Sequence, residues 1–91
     1  GLIGSATPNG WSSDAAMTYN AAQKCWELDN VTLTTGEMKF RANSDWVLDW
    51  GGSLDNITFK GGNINVTAGK YNIKLYLSCD SKSHCTMELV P

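Results

Sequence analysis

Histidine, cysteine and excess charge are all scarce in this chain, and each scarcity removes a class of explanation. A single histidine, His84, in 91 residues leaves any Ser or Cys nucleophile with one possible imidazole base, and no carboxylate except Asp80 stands near it to orient the ring. Three cysteines, Cys25, Cys79 and Cys85, could join His84 around a metal only with a fourth ligand, whereas structural zinc sites draw paired ligands from two places in the chain. No cofactor motif is present. Seven Lys plus Arg against nine Asp plus Glu give no basic face to neutralise a phosphate backbone, which argues against nucleic acid as a partner. No apolar run approaches the roughly 18 residues of a membrane span, and no charged-then-apolar leader opens the sequence. The length suits one small domain, residues 1–91, with one core. Its start at Gly1 and its end at Val90-Pro91 read as the bounds of a module excised from a longer, processed protein.

What the chain has in excess is tryptophan, with four, and short alternating segments. Leu2-Ile3-Gly4, Trp26 to Leu28, Val31 to Thr34, Glu37 to Asn43, Asn56 to Phe59, Ile64 to Val66, Lys70 to Ser78 and Thr86 to Val90 all read as strands. In Lys70 to Ser78, Tyr71, Ile73, Leu75 and Leu77 share one side. Gly51-Gly52, Gly61-Gly62-Asn63 and Ala68-Gly69 read as turns between them. Short, regularly spaced strands with glycine-rich turns predict an all-β sandwich or barrel. The one helix-compatible stretch, Ser13 to Gln23, lacks a sustained 3.6-residue period and reads as a loop with at most one helical turn.

Cys79 and Cys85 flank a five-residue polar loop. In an antiparallel hairpin such positions can face each other, and a bridge there would contribute roughly 2 kcal/mol by loop closure. It would imply an oxidising compartment and leave Cys25 unpaired. Three unpaired thiols is the alternative.

The segment Lys39 to Gly52 carries the functional signal. Strand alternation places Met38, Phe40 and Ala42 on one face and Lys39, Arg41 and Asn43 on the other, a row of hydrogen-bonding groups, with Trp50 following before a glycine pair. Flat indoles take the apolar C–H faces of sugar rings while Arg or Asn takes the hydroxyl rim. Asp45, Asp49 and Asp55 could be sought as a glycosidase pair, but so small a domain lacks a deep cleft to raise one carboxyl pKa, so catalysis is not expected.

The opening Gly-Leu-Ile-Gly-Ser-Ala-Thr-Pro-Asn-Gly-Trp (1–11), Gly-Glu-Met-Lys-Phe-Arg-Ala-Asn-Ser-Asp-Trp (36–46), Trp50-Gly51-Gly52 and Gly61-Gly62-Asn63-Ile64 together resemble the SusE/SusF type of starch-binding outer-membrane lipoprotein. The likeness spans nearly the whole chain. It implies an immunoglobulin-like antiparallel β-sandwich, one of several tandem modules behind a lipid anchor lying outside this segment, monomeric within that protein. Such a module binds α-glucan (starch or maltooligosaccharide) at the extracellular surface without cleaving it. Position by position, it implies Trp11 and Trp50 as aromatic platforms, Arg41 as the cation with Lys39 beside it, and Trp46 as structural. Trp26, beginning a strand that alternates with Leu28, is expected in the core. Two other uses fit the same sandwich: a spacer with no ligand of its own, or a protein-interaction module acting through its edge strands.

Overall fold

In the computed structural model, which describes residues 1–77 and 83–90, the chain folds into two antiparallel sheets packed face to face with no helix among the described residues. Among the described residues nine strands follow one another: β1 (Leu2–Ile3), β2 (Thr18–Asn20), β3 (Cys25–Leu33), β4 (Gly36–Arg41), β5 (Asp49–Ser53), β6 (Asn56–Phe59), β7 (Ile64–Val66), β8 (Gly69–Tyr76) and β9 (His84–Leu89). The first sheet runs β1-β4-β5-β6, with β7 also paired to β4; the second runs β2-β3-β8-β9. The all-β sandwich expected from the strand pattern is what forms. Two strands lie where the sequence suggested loops: β2, inside the helix-compatible stretch, and β5, which contains the Gly51-Gly52 pair.

Residues directly opposite in an antiparallel pair share a face, so register defines the interior. Across the first sheet Leu2, Phe40, Trp50 and Phe59 form one cross-strand row. Across the second, Tyr19, Trp26, Leu75 and Cys85 form another. Both rows face inward, because Leu2, Phe40, Leu75 and Cys85 are core residues. Met38, Ile57, Ile64, Val66 and Ile73 extend that core. In β3 the residues Asp29 and Asn30 oppose Asn72 alone, since Leu28 pairs with Ile73 and Val31 with Tyr71. This bulge shifts the alternation by one, so that Leu28 before it and Val31 and Leu33 after it all reach the interior. Asn30 takes the left-handed conformation the bulge needs (φ 56°), and its N–H donates to Asn72 Oδ1 at 2.9 Å.

The cysteine expectation is corrected in part. Cys85 pairs with Leu75 across β8 and carries a free, buried thiol directed to the core, where burial pushes its pKa up to about 12. A residue so placed faces the hydrophobic interior. Cys79 lies outside the described residues. Cys25 is also a buried free thiol.

The two glycine pairs serve a close approach. Gly52 N–H donates to Gly62 C=O at 2.7 Å, and a Cβ on Gly51 would stand 2.0 Å from that same oxygen. Only a residue without a side chain lets the β6–β7 turn lie against β5. Gly51→Ala is expected to cost about 2–3 kcal/mol and lower the melting temperature by roughly 10–20 °C. Gly62→Ala, where a Cβ meets nothing within 4 Å, is expected to melt within a few degrees of the parent; thermal denaturation of the two variants checks the contrast.

Candidate functional site

The outer face of the first sheet carries the site. Beyond Arg41 the chain turns sharply through Asn43 (φ 57°) and Ser44 (φ 53°), both left-handed, a conformation short polar side chains tolerate. Ala42 N–H donates to Leu48 C=O at 2.8 Å, and Asp45 Oδ1 accepts from Val47 N–H at 3.1 Å. The closed loop carries Trp46 back over β4. A second turn, held by Thr7 Oγ1 donating to Gly4 C=O at 2.8 Å, leads to Trp11 beside it. The two indoles lie with centroids 5.9 Å apart and planes tilted by 37°, each ring residue 42% exposed.

Beneath this pair lies a layer of charge. Lys39 and Arg41 leave β4 on the face opposite Phe40, placing Lys39 Nζ 5.6 Å and the Arg41 guanidinium 4.8 Å from the Trp46 ring centroid, within cation–π range. Each cation is also ion-paired. Arg41 Nε donates to Asp14 Oδ1 at 2.7 Å, and a terminal guanidinium nitrogen lies 2.6 Å from the same oxygen. Lys39 Nζ reaches Asp49 Oδ1 at 2.5 Å, and Lys60 Nζ, from the end of β6, reaches Asp49 Oδ2 at 2.7 Å. Lys60 Nζ also donates to the backbone carbonyl of Trp46. Burial of Asp49 pushes its carboxyl pKa up, but hydrogen bonds from Lys39 and Lys60 and their charges outweigh this and hold it below the usual carboxylate range. Asp49 therefore carries no proton to donate as a general acid at neutral pH.

The sheet divides the residues that the sequence grouped together. Trp11, Lys39 and Arg41 do assemble on the outer face, but Arg41 and Lys39 are paired and covered by Trp46 instead of lining an open surface. Trp50 pairs with Phe40 and so faces inward, packed against the core and edge-on to Phe59 at 5.8 Å. Its expected place on the platform is corrected: a sheet separates it from Trp11. Trp46, expected to be structural, is the exposed partner instead, because the left-handed turn reverses the chain before it. Asn43 sits exposed at that turn, beyond the end of β4, and lines a cleft at one end of the sandwich together with Arg41 and Trp50. Trp26, expected in the core, is 40% exposed and contacts Tyr19 at 5.1 Å. It faces inward at an open end of the sandwich, where a cleft of about 360 Å³ lies between Trp26 and Leu75 of one sheet and Phe40 and Trp50 of the other.

Asp14 and Lys60 had no sequence signal as members of this site, and Asp49, weighed only as one of a glycosidase pair, enters it as the shared partner of Lys39 and Lys60. Only the pairing of Arg41 with Asp49 across β4 and β5 marks that β5 returns a carboxylate to the cationic face. No family model, characterised protein or solved structure matches this chain.

Two outcomes follow. Trp50→Ala is expected to cost about 2–3 kcal/mol, as a half-buried indole removed from the core edge. Trp46→Ala is expected to cost about 1 kcal/mol for its lost ring and cation contacts. Chemical denaturation should therefore rank the two variants in that order. For Asp49 the folded pKa lies below the unfolded value of about 3.9, so its pairing stabilises fully above that pH and is lost as pH falls through the folded value. Asp49→Asn should destabilise by about 2–3 kcal/mol at pH 7, less than a wholly buried pair because Lys60 is half exposed. It should also flatten the loss of stability as pH falls below about 4, measured as the denaturant midpoint against pH.

Proposed function

We propose that this chain is a non-catalytic carbohydrate-binding module that holds a starch-type α-glucan through the Trp11–Trp46 platform. The exposed, mutually tilted indole pair on the outer face of the first sheet carries the reading. Indoles left 42% exposed forgo apolar burial that a core position would provide, and a second flat ring beside the first suits consecutive sugars of one chain. The Arg41 and Lys39 cations beneath Trp46 anchor the ring's orientation. The motif resemblance to the SusE/SusF-type lipoproteins supports the same ligand class, an immunoglobulin-like connectivity for the sandwich and a place at the outer-membrane surface. The cleft at the sandwich end is a poorer sugar site: Arg41 and Asn43 line it beside Trp26 and Trp50, but most of its lining is apolar and Arg41 is already paired with Asp14.

Burying about 60–100 Å² of apolar surface per stacked ring contributes on the order of 2 kcal/mol. Two rings, less the cost of association, leave roughly −4 to −6 kcal/mol, or millimolar to tens of micromolar affinity. So weak a contact suits a polymer held by several modules through effective concentration.

Isothermal titration with maltoheptaose and cellohexaose tests this. Maltoheptaose should bind in that range, and Trp11→Ala and Trp46→Ala should each weaken it at least tenfold. Trp50→Ala should leave the affinity of the folded fraction within about twofold. No heat from either sugar at millimolar concentration would leave the module as a spacer.

A further inference from the structure

Trp46 is held at its ring and at its backbone by groups that belong to different parts of the chain. From below, Lys39 and Arg41 of β4 reach its face. From the side, Lys60 at the end of β6 donates to its backbone carbonyl. Lys39 and Lys60 are joined through the two oxygens of one carboxylate, that of Asp49. Lys60 is itself fixed at its root: its N–H donates to Asp49 C=O at 2.8 Å, and its backbone is left-handed (φ 60°). Its ammonium passes within 5.8 Å of the Phe59 ring centroid.

We infer that Lys60 is the positioning residue of the aromatic platform, clipping the 42–48 loop so that Trp46 stands beside Trp11, with Asp49 as the anchor that aims it. This deepens the glucan-binding reading and rests on it for its functional consequence. Within the loop, the hydrogen bonds of Ala42, Asp45 and Val47 close the turn on itself, but none of them ties Trp46 to another part of the fold. The cations under the ring attract it without fixing its lateral position, since cation–π contact is broad in angle. The Lys60 contact to the Trp46 carbonyl is the directed one, and charge on the donor strengthens it. Side-chain exposure separates the roles further: Asp49 is 4% exposed and Lys39 12%, whereas Lys60 is 47% exposed. Removal of the Lys60 ammonium should therefore act on the loop more than on the core.

The test uses the chain as it stands, with Lys60→Met, which keeps the stem over Phe59 and removes the ammonium, and Lys60→Arg, which restores a cation. Proximity of the indoles is read directly as nuclear Overhauser contacts between the Trp11 and Trp46 rings, assigned by their loss in Trp46→Phe. Melting temperature and maltoheptaose affinity are read in parallel. In Lys60→Met the inter-indole contacts should fall by at least half, affinity should drop three- to tenfold and the melting temperature should shift by no more than about 5 °C; Lys60→Arg should recover both contacts and affinity. Inter-indole contacts that are unchanged in Lys60→Met, or absent from the parent, would overturn the inference. So would a collapse in melting temperature, which would make Lys60 a general support of the fold. Should the contacts respond as expected while the parent binds no glucan, the clip stands and the glucan reading fails.

Discussion

The outer face of the first sheet is organised by one carboxylate. Asp49 is buried, yet stays ionised because Lys39 and Lys60 each contact one of its oxygens. Without those partners its burial would be prohibitive, and without Asp49 two ammonium groups would stand close together with nothing between them. The pairing sets where Lys39 lies under Trp46 and where Lys60 meets the loop above. The half-exposed indoles thus depend on a charge balance beneath them. It is an arrangement of moderate strength, since one of its cations is open to solvent and screened there.

Much of the fold could be read from the chain. The alternation in residues 37–43 and 70–78 placed Met38, Phe40, Ile73 and Leu75 inside, as found, because two-residue periodicity is enforced wherever a sheet has one wet and one dry face. What escaped was β2 and β5. Thr18–Asn20 is short and borders an alanine-rich stretch, and Asp49–Ser53 contains two glycines that normally signal a turn. The glycines are there because another segment of backbone lies against them, a tertiary demand that local sequence does not announce.

The candidate site was half legible for a related reason. Lys39 and Arg41 were grouped by strand alternation and Trp11 by the motif resemblance, but the choice between Trp46 and Trp50 turned on conformation. Both lie within a few residues of each other, and composition gives either an equal claim. Left-handed backbone at Asn43 and Ser44 sends Trp46 out, and pairing with Phe40 turns Trp50 in. Asp14 illustrates the complementary blind spot: it is far from Arg41 in sequence, and only the isolated Leu2–Ala15 bridge brings it onto the guanidinium.

The bulge at Asp29–Asn30 gives β3 something like a reading frame. Upstream of it the even-numbered residues Trp26 and Leu28 point inward, and downstream the odd-numbered Val31 and Leu33 do. Loss of one of the two bulge residues would shorten the step from Leu28 to Val31 to two, matching the step from Ile73 to Tyr71, so Val31 and Leu33 would keep both their partners and their face. A deletion at Thr32 has no such outlet: Val31 and Leu33 would become neighbours and point to opposite faces. Length variation in β3 should accordingly be tolerated at the bulge and in the turns, and not between Val31 and Leu33.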